Sequence, residues 1–220
     1  MNTPLEYGKY YHIYNRGNNY ENIFLDSDDY LHFLNNLDVY INPIADIYAW
    51  CLLKNHFHIL ARIKEEAEIG YLNSEFANSE DIYLKWKTHF PEIPDSKFCK
   101  KPIPTQQFKH LFNSYSRWFN FRHQRSGSLF EKNFERKLVE NQSYFTNLIV
   151  YIHNNPVKHG FVEHAIEYPW SSYLTITSEK PTKLKREDVI YFFDGDENYI
   201  RQHANNMVDN DKKIRKFIIE

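Results

Sequence analysis

Two histidines two residues apart, His56 and His58, stand in an apolar stretch, Ile47-Tyr-Ala-Trp-Cys-Leu-Leu-Lys-Asn-His-Phe-His-Ile-Leu-Ala-Arg-Ile63. The stretch reads as two strands, 47–53 and 56–63, joined at Lys54-Asn55. Successive strand side chains point to opposite faces, so both imidazoles share one face and Phe57 takes the other. Two imidazoles on one rigid strand can reach a single metal ion. With 11 histidines in 220 residues the pair also arises by chance, so it gains weight only from what accompanies it.

The accompaniment lies about a hundred residues on, in Tyr151-Ile-His-Asn-Asn155-Pro-Val-Lys-His-Gly160. Helical residues four apart lie one above the other, about 6 Å along the axis, so Tyr151 and Asn155 face the same way. A phenol and an amide offered to two imidazoles make a phosphodiester-cleaving set. His56, His58 and the Asn155 oxygen hold a divalent ion in this reading, and the Tyr151 oxygen attacks the phosphate. A free phenol has a pKa near 10, so the ion or Lys158 must favour its ionised form. The same residues also fit a plainer assignment: Tyr151 as a core tyrosine and Asn155 as the cap of a helix that stops before Pro156. Tyr144, two turns back on roughly the same face, is the rival nucleophile.

The elements that must position these residues follow from the patterning. Residues 9–17 read as a first strand turning at Gly17. Asp26 or Ser27 caps a helix whose stripe is Tyr30, Phe33, Leu34, Leu37 and Ile41, ended by Asn42-Pro43. The paired strands follow. Residues 64–104 are acidic, then rich in proline, and read as an insertion or lid. A helix resumes at Thr105 with Phe108, Leu111, Phe112, Tyr115, Trp118 and Phe119 on one face. Residues 128–139 read as a fourth strand with a bend, and Asn141 or Gln142 opens the helix that carries Tyr151. Tyr168-Pro-Trp-Ser-Ser-Tyr173 reads as a short tied-down segment. The order β-α-β-β-α-β predicts an α+β, ferredoxin-like (RRM-like) fold: one antiparallel sheet with helices on one face, plus a C-terminal helical extension. Residues 1–178 form the domain and 179–220 a charged extension.

Composition sets the limits. Apolar residues are 42% and mean hydropathy is -0.68, which fits a globular chain. Two cysteines without a Cys-x-x-Cys pattern point to a reducing, cytoplasmic setting, and a DNA partner would make it nucleoid-associated. The first residues lack a signal-peptide pattern, and no apolar run suits a membrane span. The net charge of -2 hides segregation: residues 97–137 hold ten Lys or Arg and two acids, whereas 64–95 hold three bases and eight acids. Arg117, Arg122, Arg125, Lys132 and Arg136 of that run, with Arg16 and Lys158 outside it, are the expected DNA contacts.

His-Phe-His58 resembles the HUH motif (His, hydrophobic, His) of single-tyrosine transposases. Tyr151 to Gly160 resembles the nucleophile helix of the REP-associated tyrosine transposases. The similarity extends through Tyr-Asn-Arg-Gly17 with Asn-Ile-Phe24, Arg-Ser-Gly-Ser-Leu-Phe130 and Tyr-Pro-Trp-Ser-Ser-Tyr173. The insertion and the tail after Glu179 fall outside it. The resemblance implies Tyr151 as nucleophile and Asn155 as a metal ligand. It also implies single-stranded or hairpin DNA as substrate, Mg²⁺ or Mn²⁺ as cofactor, a 5′-phosphotyrosine intermediate with a free 3′-OH, and a monomer or homodimer. Two other functions suit the same residues: a hairpin-binding regulator without catalysis, and a metallonuclease that uses water.

Overall fold

The computed structural model describes residues 4–73, 86–87, 99–131 and 133–205. Its elements in chain order are β1 (Tyr10–Arg16), α1 (Ser27–Tyr40), β2 (Ala45–Leu53), β3 (His56–Ile63), three short strands β4 (Tyr71–Asn73), β5 (Trp86–Lys87) and β6 (Cys99–Lys100), α2 (Pro104–Arg122), β7 (Glu135–Val139), α3 (Gln142–Lys158), α4 (Tyr173–Thr177), α5 (Arg186–Phe192) and α6 (Asp196–Asn205). The main sheet has the order β2-β3-β1-β7, all neighbours antiparallel, as the β-α-β-β-α-β pattern predicts. The short strands form a second sheet, β5-β4-β6. Most of the expected lid lies outside the described residues.

Strand alternation divides the molecule into two cores. Phe57, Ile59, Ala61 and Ile63 of β3, with Tyr11 and Ile13 of β1, pack against Phe33 and Leu37 of α1 and Phe108, Leu111, Phe112 and Tyr115 of α2. The opposite face carries Leu60 of β3 and Cys51 and Leu53 of β2, packed on Phe145, Leu148, Ile149 and Ile152 of α3. A bulge between Ile47 and Ala49 shifts the β2 register, so that Tyr48 and Ala49 both join the second core while Ile47 stays in the first. Helices therefore cover both faces, where the sequence led us to expect one. Only α1 and α2 are the crossover helices of the ferredoxin-like unit. The second face is also apolar along β2, and α3 buries it.

Asp26 caps α1 with a reciprocal box: its carboxylate accepts from the Asp28 and Asp29 backbone N–H groups, and Asp29 accepts from the Asp26 N–H. Asn141 caps α3 by accepting from Tyr144 N–H at 2.8 Å. Two boundaries differ from expectation. Among the described residues of 128–134 there is an isolated bridge from Phe130 to Gly17, and the strand proper begins at Glu135. Helix α3 does not stop before Pro156 but runs through it to Lys158. Proline removes one donor, to the Ile152 carbonyl, yet the next turn closes through His159 N–H to Asn155 O and Phe161 N–H to Pro156 O. Asn155 thus lies inside the helix, buried, and not at its end.

Residues 168–173 are tied to the β2 edge. The Leu52 N–H donates to the Trp170 carbonyl, the Ser172 N–H to Trp50, and the Tyr168 hydroxyl to Leu52. Behind α3 a buried polar chain joins this segment to α6. His153 lies 2.7 Å from the Ser172 Oγ and 3.0 Å from both His203 Nε2 and the Tyr199 hydroxyl. Val189, Phe193 and Tyr199 complete the second core. Among the described residues no helix is long and apolar enough to cross a membrane.

Candidate active site

Cross-strand pairing sets the rows of the histidine face. His58 lies between Cys51 and Tyr14, and His56 between Leu53 and Arg16. Beyond β1, Tyr14 pairs with Glu135 and His12 with Lys137. The apolar end of each row lies under α3. The polar end opens into a cleft of about 720 Å³ whose lining includes Tyr14, Arg16, Tyr20, Lys54, His56, His58, Glu131, Glu135, Arg136, Lys137, Tyr151, His159 and Phe161.

Gly17 closes the cleft's near edge. Its N–H donates to Asn55 O at 2.7 Å, and the Ile23 and Phe24 N–H groups donate to Lys54 O, so the Lys54-Asn55 turn is clamped to the chain that follows β1. A Cβ at Gly17 would stand 2.0 Å from the Glu21 carbonyl oxygen. Only glycine fits there.

The His56 and His58 rings are 5.2 Å apart and nearly perpendicular. Tyr151 presents its ring to His58 edge-on at 5.5 Å. Lys158 Nζ lies 5.8 Å above the Tyr151 ring, and His159 lies 5.1 Å from His56. Each imidazole has its Nδ1 engaged: His56 with Asn55 Oδ1 at 2.8 Å, His58 with His12 Nε2 at 3.0 Å. The His58 Nε2 and both side-chain polar atoms of Asn155 are buried without a hydrogen-bond partner. Asn155 nevertheless lies close enough to His56 for its amide to favour the charged ring.

Burial keeps these rings neutral. His56 is pushed down to about 4 by desolvation, with the neighbouring His159 adding to the shift. His58 is held well below the usual range, again by burial first and then by His12 and His56. Neutral imidazole is the form that binds metal. Tyr14 is pushed up to about 12 by burial and then by Glu135, and so stays a phenol.

The donor set suits a divalent cation. An unpartnered buried ring nitrogen and an unpartnered buried amide oxygen each cost about 1–3 kcal/mol, which a ligand offsets. Among the described residues no group of three His, Cys, Asp or Glu is arranged to hold a metal, and the further polar group that lies close to His56 is the Asn155 amide.

The other sequence-derived residues divide. Arg16 and Arg136 line the cleft and Lys158 overhangs Tyr151. Arg117, Arg122 and Arg125 do not line it. Arg122 bonds Asp26 at 2.7 Å, Asp28 at 2.9 Å and Asp29 at 2.8 Å, and Arg125 pairs with Glu21. Arg122 and Arg125 are thus engaged by the cap and first turn of α1 and by the loop before it, away from the cleft. Lys132 lies outside the described residues. Sequence patterning does not single out Lys54, Lys137, His12 or Tyr14. Their place depends on which strands pair, and a single sequence states that only weakly.

No family model matches the chain. A Haemophilus influenzae protein named "Putative REP-associated tyrosine transposase" is 26% identical over 130 residues, which span 57% of this chain and 57% of that relative. A solved structure of a REP-associated tyrosine transposase bound to a REP hairpin superposes with a TM-score of 0.55 at 15% identity, covering 82% of this chain and 87% of the other. The chain resembles a REP-associated tyrosine transposase in sequence and in fold. The likeness to the solved structure is one of fold, and the matched stretch spans little more than half the curated relative's length.

Proposed function

We propose that the chain nicks and rejoins single-stranded DNA beside a hairpin, with Tyr151 as nucleophile and a divalent cation held by His56, His58 and Asn155. The observation that carries this reading is the meeting of Tyr151 with His58 in the cleft, where the buried His58 Nε2 lacks a partner and the Asn155 amide lies close to His56. The named relatives support it, because transposition is what such proteins are named for.

Mg²⁺ or Mn²⁺, when bound, supplies positive charge that polarises the scissile phosphate. The chain's own residues do the rest. The Tyr151 oxygen forms a bond to phosphorus, and the phosphorus–O3′ bond breaks. The 3′-oxygen leaves as a hydroxyl, taking up one proton in balance for the one lost by the phenol. The 5′-phosphate stays on Tyr151. Attack by a 3′-hydroxyl reverses the sequence and returns the proton to the phenol. Lys158, above the ring, stabilises developing phenolate charge. The cleft carries four bases, Arg16, Lys54, Arg136 and Lys137, against Glu131 and Glu135. Its exposed aromatics, Tyr20 and Phe161, offer stacking surfaces for unpaired bases.

The test is incubation with a hairpin oligonucleotide bearing single-stranded flanks and Mn²⁺, read on a denaturing gel. A protein–DNA band resistant to denaturation is the expected result. Cleavage without that band would assign the attack to water, and binding without cleavage would assign a regulator.

A further inference from the structure

We infer that His12 is a positioning residue for the metal ligand His58. It sets the tautomer that leaves the His58 Nε2 lone pair free for the cation. The inference rests on the cation site proposed above and adds a residue to it.

His12 is wholly buried on the central strand β1, on the same face as His58. Its Nε2 lies 3.0 Å from His58 Nδ1, and the two rings are stacked 5.1 Å apart. Two neutral imidazoles joined by one hydrogen bond have two arrangements. In one, His12 Nε2–H donates to His58 Nδ1, and the second proton of the pair sits on His58 Nε2. In the other, His58 Nδ1–H donates to His12 Nε2. His58 Nε2 is then a bare lone pair, and the remaining proton sits on His12 Nδ1. Only the second arrangement can bind a cation through Nε2.

The ends of the pair agree with a switch between these states. His58 Nε2 and His12 Nδ1 are both buried without a hydrogen-bond partner, so neither end locks the proton by a bond of its own. A cation held at Nε2 would require the second arrangement, with the protons on His58 Nδ1 and His12 Nδ1. A metal-ligating histidine is commonly oriented by a carboxylate or a carbonyl, both fixed acceptors. A second imidazole is an acceptor in only one tautomer, so metal binding here includes the work of choosing it.

The test uses the full chain and two substitutions. His12→Gln keeps an acceptor near the position of Nε2, and His12→Phe keeps the ring but removes the acceptor. Mn²⁺ affinity is measured by calorimetry without DNA, beside His58→Ala as the control for the site. His12→Phe should weaken Mn²⁺ binding by about 10–100-fold, and His12→Gln should recover most of the loss. Hairpin affinity should be the same in all three. Phe and wild type binding Mn²⁺ alike, or Gln and Phe being equally weak, would overturn the inference. Should His12→Phe fail to fold, nitrogen-15 NMR of the wild-type histidines with saturating Mg²⁺ decides. His58 should carry its proton on Nδ1, and a proton on Nε2 would overturn the inference. Wild-type Mn²⁺ binding that His58→Ala leaves intact would instead remove the cation site itself, and the role of His12 with it.

Discussion

At the scale of single residues, the proposed chemistry rests on four side chains, His56, His58, Tyr151 and Asn155. His-x-His on a strand and Tyr-x-x-x-Asn on a helix are local periodicities, so His56, His58, Tyr151 and Asn155 fall on matching faces without any knowledge of tertiary contacts. The meeting of Tyr151 with His58 at 5.5 Å is the tertiary counterpart. Tyr144, the rival, does not line the cleft, and burial pushes its phenol up to about 12. His12 and Lys54 are illegible in the sequence because their importance comes from strand and turn neighbours far along the chain. His58→Ala should abolish metal-dependent cleavage and leave hairpin affinity within about threefold, since the proposed phosphate contacts are other residues of the cleft. A filter-binding isotherm beside a cleavage time course measures both. A variant that cuts at the wild-type rate would remove the cation from the account.

At the scale of elements, Arg122 of α2 shows that a charge run need not form one face. Ten bases fall within 97–137, but a helix scatters its side chains around the axis, and Arg122 is met by the α1 cap Asp26 with Asp28 and Asp29 of the first turn. Arg122→Glu should therefore lower the melting temperature, by setting a fourth acid against the α1 cap, and leave the salt dependence of DNA binding unchanged. Arg136→Glu, in the cleft, should do the opposite: every phosphate that the protein no longer neutralises flattens the slope of log affinity against log salt by about 0.7 for a single strand. Salt titrations of both variants by fluorescence anisotropy check the pair. Gly17 is an element-scale constraint as well, since it ties the end of β1 to the β2–β3 turn. Gly17→Ala must displace the Glu21 carbonyl, and a loss of about 1–3 kcal/mol in denaturant unfolding is expected.

At the scale of the whole molecule, the ferredoxin-like sheet is legible from the order of its elements, and the covering of both its faces is not. The pattern within α3 gives a buried stripe, yet nothing in one sequence says which side of the sheet receives it. Nor does the tail's composition show that α5 and α6 enter the second core, where His203 meets His153. Burial pushes His203 down to about 4, against an ordinary value of 6.5. Above pH 6.5 both folded and unfolded chains hold it neutral, so it costs nothing there. Below 6.5 the unfolded chain takes up a proton that the folded chain refuses, so stability falls as pH drops towards 4, by about 3 kcal/mol in all. Unfolding curves from pH 8 to pH 4 should show that loss, and it should shrink in His203→Gln. The central claim concerns the molecule working on DNA, and it is tested most directly by trapping the covalent product, digesting it with protease, and locating the nucleotide by mass spectrometry. The account predicts the adduct on the peptide containing Tyr151, and no adduct from Tyr151→Phe, which removes only the phenolic oxygen and so separates chemistry from packing. A nucleotide on Tyr144, or undiminished adduct formation by Tyr151→Phe, would contradict it.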